Sequence, residues 1–222
     1  MNIIVISLER AKERRERIKS QLSALNIDAI ILDAIDGQLL SPDESDKFLH
    51  LPGGYREGEK FKPGEIACTM SHINAIKIAK DNNWPYLIVL EDDVILANDF
   101  EKRIKFLFKI LPSDWEHVYL SGIPRFGFGY VPQLQIANIQ PSVFTECTHS
   151  MLIKNTAYDK IISYLNKFET TTDDSYNVLI KNGLISYTYY PFVSYANDDY
   201  TYIWDQKLKR DHKSKLYFKD KL

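Results

Sequence analysis

The sequence predicts an α/β fold, a mixed and mainly parallel sheet flanked by helices, on three observations. Short aliphatic runs alternate with amphipathic helical stretches, the order of strand–helix–strand units. One run, Leu87-Ile88-Val89-Leu90, is apolar throughout, as a strand buried on both faces is. That run stops in three consecutive carboxylates, Glu91-Asp92-Asp93, before apolar character resumes at Val94-Ile95-Leu96. With 222 residues, 45% of them hydrophobic, the chain can bury one sizeable core, and residues 1–204 are expected to form a single domain.

In chain order, a strand from Asn2 to Leu8 passes into a helix over about Glu9–Leu25, whose apolar stripe is Ala11, Ile18, Leu22 and Leu25. A second strand, Ile27 to Leu32, ends in Asp33-Ala34-Ile35-Asp36-Gly37, and the β-α-β order predicts a parallel pair with both strand ends on one sheet edge. Ser7, Leu8 and Arg10 should then approach Asp36 and the acidic triplet. Arg10 and Arg14, one turn apart, either face an anionic ligand or are solvated surface arginines. Periodicity is lost from Ser41 to Gly64, and a loop of this length in a compact domain is either mobile or functional. A helix follows from Glu65 to about Lys80, buried through Ile66, Met70, Ile73 and Ile76, with Glu65 and His72 projecting together towards the sheet edge. Phe100, Ile104, Leu107 and Leu111 mark a helix stopped by Pro112, and Val118-Tyr119-Leu120 a strand. The glycine-rich, aromatic stretch Ser121–Pro132 suits a sugar-facing loop or a core cover. Strands at 134–139 and 143–153, a helix at 156–168, a helix from Thr172 to Gly183 and a strand from Ile185 to Tyr190 complete the pattern.

Composition excludes several classes. No stretch approaches the roughly 18 apolar residues of a membrane span, and Ile3-Ile4-Val5-Ile6 is too short for a signal-peptide core, so a cytoplasmic protein is expected. Cys68 and Cys147 make neither a zinc set nor a disulfide framework and should both be reduced. The net charge of −2 divides unevenly: residues 205–222 hold seven Lys/Arg and three Asp, leaving +4 on this basic C-terminal tail and −6 on the body. An acidic body argues against nucleic-acid binding. The tail interleaves Leu208, Leu216, Tyr217 and Phe218 with lysines, as a segment contacting an anionic membrane face at the inner side of the cytoplasmic membrane would. Three adjacent carboxylates repel one another. At a strand end they read either as a solvated loop with an acidic helix cap or as ligands of a hard divalent cation, Mn²⁺ or Mg²⁺.

Four stretches in the first 95 residues carry a family resemblance: Val5-Ile6-Ser7-Leu8-Glu9-Arg10 with Arg14-Arg15, Asp33-Ala34-Ile35-Asp36-Gly37, Gly64-Glu65-Ile66-Ala67-Cys68-Thr69-Met70-Ser71-His72, and Leu90-Glu91-Asp92-Asp93-Val94. In this order they resemble glycosyltransferase family 25, which includes bacterial lipooligosaccharide galactosyltransferases and collagen galactosyltransferases. Later, only Thr172-Asp173-Asp174 and the strand before Pro191 look similar.

The resemblance implies a GT-A fold, Rossmann-like in its sheet, a nucleotide-sugar donor, a divalent metal and inversion at the anomeric carbon. It assigns Asp93 as the direct metal ligand, with Glu91 in the same set; Glu91 and Asp92 would hold ribose, sugar or metal-bound water. Uridine of a UDP-sugar is expected near Ser7, Leu8 and Arg10, with Asp36 reading base or ribose, and Arg14, Glu65 and His72 complete the donor site. The catalytic base is Asp173 or Asp174. The implied activity is hexosyl transfer, galactose first, to an oligosaccharide or lipid-linked saccharide in lipopolysaccharide or related surface-glycan biosynthesis. A UDP-glucose-dependent glucosyltransferase, another nucleotidyl-transfer enzyme and a non-catalytic nucleotide-sugar-binding protein are the alternatives.

Overall fold

The structure is a computed structural model and describes residues 1–43, 61–126, 129–130 and 138–197. Most of the Ser41–Gly64 loop, part of the Ser121–Pro132 loop, residues 134–137 and the 205–222 tail lie outside the described residues.

Strands β1 (Ile3–Ser7), β2 (Ile30–Asp33), β3 (Tyr86–Glu91), β5 (His117–Tyr119), β8 (Ile139–Pro141), β10 (Ser150–Lys154) and β11 (Ser186–Tyr189) form a seven-stranded sheet in the order β2-β1-β3-β10-β5-β11-β8. The ladders β1–β2, β1–β3 and β5–β11 are parallel, whereas β10 runs antiparallel to β3 and β5, and β8 antiparallel to β11. Five strands therefore point one way and two the other, a mixed and mainly parallel sheet as the sequence predicts. Strands β4 (Val94–Leu96) and β12 (Ser194–Ala196) form a separate ribbon, and β6 (Ile123–Phe126), β7 (Gly129–Tyr130) and β9 (Thr145–Glu146) a small third sheet.

Successive side chains of a strand point to opposite faces, and here both faces are covered. Ile4, Ile6, Leu87, Val89, Met151 and Ile153 pack on one side against α2 (Pro63–Asp81), α4 (Tyr158–Leu165) and α5 (Thr172–Lys181). Ile3, Val5, Ile88, Leu90 and Leu152 pack on the other against α1 (Lys12–Ala24) and α3 (Phe100–Ile110). This double burial is why Leu87 to Leu90 is apolar at every position. The edge strand β2 is half-exposed and starts at Ile30, later than the Ile27 start its composition suggests. Ile27 is instead part of the stop of α1.

Three helices end in the same way. After α1, α2 and α5 the chain turns through a left-handed residue, Asn26 (φ 53°), Asn83 (φ 54°) or Gly183 (φ 93°). The amide of the following residue bonds back to the helix: Ile27 to the carbonyl of Leu22, Trp84 to Ala79, Leu184 to Leu179, all at 2.9–3.0 Å. This is the Schellman arrangement, and each apolar residue after the turn packs against the core.

Two other expectations change. The single strand over 143–153 is two, β9 and β10, broken at Cys147, whose φ of 74° cannot continue a strand. The break lets β9 join the small sheet while β10 enters the main one. The helix over 156–168 is α4 with a short 3₁₀ turn, Asn155–Ala157, before it; it stops at Leu165, and Phe168, at φ 51°, folds back into the core. Among the described residues no helix is long and apolar enough to cross a membrane.

Candidate active site

The parallel ladders bring the ends of β1, β2 and β3 to one sheet edge, where Ser7 pairs with Asp33 and Ile6 with Glu91. Ligands in open α/β sheets bind beyond this carboxyl edge. A cleft of about 260 Å³ lies there, and its lining joins the end of β1, the start of α1, the turn after β2, the first three turns of α2 and the acidic triplet. Leu8, Arg10, Arg14, Asp36, His72, Glu91, Asp92 and Asp93 all line it. Four sequence-separated motifs thus meet in one cavity.

Asp92 is buried and receives the Ser7 hydroxyl at 2.7 Å. Arg14 Nη2 bridges Asp92 (2.8 Å) and Asp93 (3.0 Å), so one guanidinium ties two carboxylates to α1. Burial, together with the charges of Asp93 and Glu91, pushes the Asp92 carboxyl up to about 6, although Arg14 and the Ser7 hydrogen bond oppose the shift. Arg15 donates to the Ser7 hydroxyl and carbonyl and to Asp33, closing the seam between β1 and β2. Ser7 therefore supports the acidic triplet from behind rather than lining the cleft.

At the cleft's other end Arg10 grips Asp36 with two nitrogens, Nε to Oδ2 at 2.5 Å and Nη2 to Oδ1 at 3.3 Å. Asp36 also accepts the Gln38 amide at 2.9 Å and so caps the 3₁₀ turn Gly37–Leu39. Burial alone would raise this carboxyl, but the Arg10 hydrogen bond, the Gln38 amide and the Arg10 charge hold it below the usual range. The turn meets α2 through Ser71, whose hydroxyl accepts the Ile35 amide at 2.9 Å. A β-carbon on Gly37 would stand 2.6 Å from the Gly64 nitrogen and the Pro63 carbonyl carbon. The close approach explains why glycine follows Asp36.

His72 is fully buried, and its Nε2 lies 3.2 Å from Glu91 Oε1, which also accepts the Thr148 hydroxyl at 3.0 Å. Against the cost of burial, the hydrogen bond and charge of His72, the charge of His149 and the Thr148 hydroxyl hold Glu91 ionised. Glu65 is not part of the cleft lining. At the third position of α2 it reaches back to accept the Lys62 amide at 2.9 Å, so its carboxylate caps the helix instead of projecting with His72.

Asp173 and Asp174 open α5, and neither lines the cleft. Asp173 accepts the Thr171 hydroxyl at 2.8 Å and the Asp174 amide at 3.1 Å. Burial and then the charge of Asp173 raise the Asp174 carboxyl. Thr172, the first residue of α5, bonds the Thr69 hydroxyl at 2.8 Å and the Cys68 sulfur at 3.6 Å, which seats the start of α5 against the cleft wall. Cys68, Thr148 and Ser71 received no role from sequence reasoning. Cys68 had a usable signal, its place one helical turn before His72; Thr148 had none, since the bend that presents it falls inside what reads as continuous strand.

This sheet, with acidic side chains and a cleft at the ends of its parallel strands, defines a GT-A-like α/β domain. The model of glycosyltransferase family 25 (LPS biosynthesis protein) matches residues 1–172, and the chain belongs to that family. Procollagen galactosyltransferase 2 of Mus musculus is 30% identical over 126 residues, which are 54% of this chain and 20% of that protein. Inactive glycosyltransferase 25 family member 3 of Homo sapiens is 29% identical over 126 residues, 54% of this chain and 21% of its own length. The chain thus spans about a fifth of the curated relatives it matches. In fold it is similar to A197 from STIV, with a TM-score of 0.51 at 13% identity over 96% of both chains. A glycosyltransferase involved in glycosylation of the major capsid of PBCV-1 aligns with a TM-score of 0.47 at 11% identity, over 86% of this chain and 83% of that one.

Proposed function

We propose that the chain is an inverting glycosyltransferase that moves a hexose, galactose first, from a UDP-sugar to a saccharide acceptor in surface-glycan biosynthesis. The observation that carries the reading is the convergence of four distant motifs on one cleft, with a paired arginine and aspartate at one end and three carboxylates at the other. The Arg10–Asp36 pair offers a fixed donor and acceptor to a nucleoside. Arg14 positions Asp92 and Asp93 and offers positive charge to a diphosphate. The donor set fits a hard divalent ion, because its oxygens belong to three adjacent carboxylates of which Arg14 ties only Asp92 and Asp93, leaving negative charge for a cation to offset. Asp93 and Glu91 would hold Mn²⁺ or Mg²⁺, which when bound neutralises the departing diphosphate.

Inversion needs a base on the face away from the leaving group, and Asp173 or Asp174 is assigned that role. We take Asp174 as the base, because burial raises its carboxyl and the Thr170 and Thr171 hydroxyls orient it. Attachment of residues 205–222 to an anionic membrane surface belongs to the same proposal; sedimentation with anionic but not neutral vesicles, lost on truncation at Trp204, is the expected result. Asp93→Ala should abolish Mn²⁺-dependent release and transfer of the sugar while the fold persists, because the residue sits at a strand end. Full activity of the unaltered chain in excess EDTA would contradict the proposal. A second reading, binding of a nucleotide sugar without transfer, is favoured by relatives named inactive. It predicts donor binding with no sugar release.

A further inference from the structure

We propose that Cys68, His72 and Glu91 form a binding site for a borderline-soft divalent cation of the zinc class, which shares only Glu91 with the oxygen-only set at Asp93. Cys68 and His72 are four residues apart on α2 and share one face of the helix. Glu91, the last residue of β3, meets them from across the cleft floor. The Cys68 sulfur, a His72 ring nitrogen and a Glu91 oxygen all lie within 4.8 Å of one another. Around a tetrahedral zinc ion such atoms stand roughly 3.3–3.8 Å apart, so the cluster closes on an ion by small rotamer shifts. His72 Nε2 and Glu91 Oε1 are already at 3.2 Å.

The ligand set decides the class of metal. Thiolate, imidazole and carboxylate together select zinc or cobalt over magnesium and manganese, which prefer oxygen alone. The surroundings are those of a metal centre: the Thr148 hydroxyl orients Glu91 at 3.0 Å and the Thr172 hydroxyl points at the Cys68 sulfur at 3.6 Å. Without metal, burial and the charges of Glu91, Asp173 and Asp93 keep Cys68 a neutral thiol. The same negative charges favour a cation, whose binding forms the metal–sulfur bond and releases the thiol proton to solvent. All three ligand residues line the cleft, so the fourth position is open to it. Since Glu91 is common to both sets, zinc and Mn²⁺ should compete for it, a consequence that rests on the transferase reading.

The test is to titrate Co²⁺ into the full chain and record its near-ultraviolet absorption, which needs no sugar and so fails or succeeds independently of transferase activity. Expected are a thiolate-to-cobalt charge-transfer band saturating at one ion per chain, its bleaching by equimolar Zn²⁺, and its absence in Cys68→Ser. Thr172→Val should keep the band with binding weakened by about 10- to 100-fold. Asp93→Asn should keep both band and stoichiometry. Absence of the band in the unaltered chain overturns the proposal, and so does a band that survives in a folded Cys68→Ser, which would assign it to Cys147.

Discussion

Gly37→Ala wedges the cleft open from its rim. The added carbon would stand 2.6 Å from two backbone atoms of Pro63 and Gly64 and 2.7 Å from a third, about 0.8 Å short of the ordinary contact distance of 3.4 Å. Backbone on both sides leaves no flexible side chain to yield, so the Asp36 turn and the start of α2 must part. Overpacking of this kind costs about 1–3 kcal/mol, and at about 2–4 °C per kcal/mol for a chain of this size the melting temperature should fall by roughly 2–12 °C. The same shift moves the Arg10–Asp36 pair relative to the acidic triplet, so affinity for a UDP-sugar should fall at least tenfold. Gly183→Ala is the matched control: its φ of 93° strains alanine in the helix stop, but nothing stands within 4 Å of the new carbon. It should lower the melting temperature while leaving the affinity unchanged. If Gly37→Ala melts and binds like the unaltered chain, the close approach does not shape the cleft.

Asp173→Asn and Asp174→Asn should differ, with Asp174→Asn lowering turnover by the roughly 10² to 10⁴ of a lost general base while donor affinity persists; equal and mild effects would move the base elsewhere. His117, fully buried and stacked on Tyr176 with its Nδ1 against Ser186, is held down to about 3 by burial. The unfolded chain binds its proton near 6.5, so stability is complete above that pH and is lost as pH falls from there towards 3, by about 2 kcal/mol at pH 5. In urea unfolding, the gap between the unaltered chain and His117→Gln should therefore shrink from pH 7 to pH 5, and a constant gap would refute the assignment.

What was legible in the sequence followed from periodicity and charge. Leu87 to Leu90 reads as a doubly buried strand because every position is apolar, and the stop in Glu91-Asp92-Asp93 marks the sheet edge where the cleft opens. The parallel pairing of β1 and β2 followed from the intervening helix, and it carries Arg10 to Asp36. What was not legible depends on partners distant in sequence. The break at Cys147 is set by which sheet each half joins, and β-rich composition is blind to it. Glu65 and His72 share a helix face, yet position within the helix decides their roles: Glu65 lies in the first turn, where amides need an acceptor, and His72 lies deeper, opposite Glu91. Asp173 and Asp174 read as site residues from their pattern, but only the contact of Thr172 with α2 shows that the start of α5 adjoins the cleft wall.

The most direct measurement is calorimetric titration of the chain with UDP-galactose, in Mn²⁺ and again in excess EDTA. Saturable one-to-one binding in Mn²⁺ that weakens at least tenfold in EDTA is the predicted result. Equal affinity in both, or no binding in either, would contradict a cation-assisted nucleotide-sugar site in this cleft.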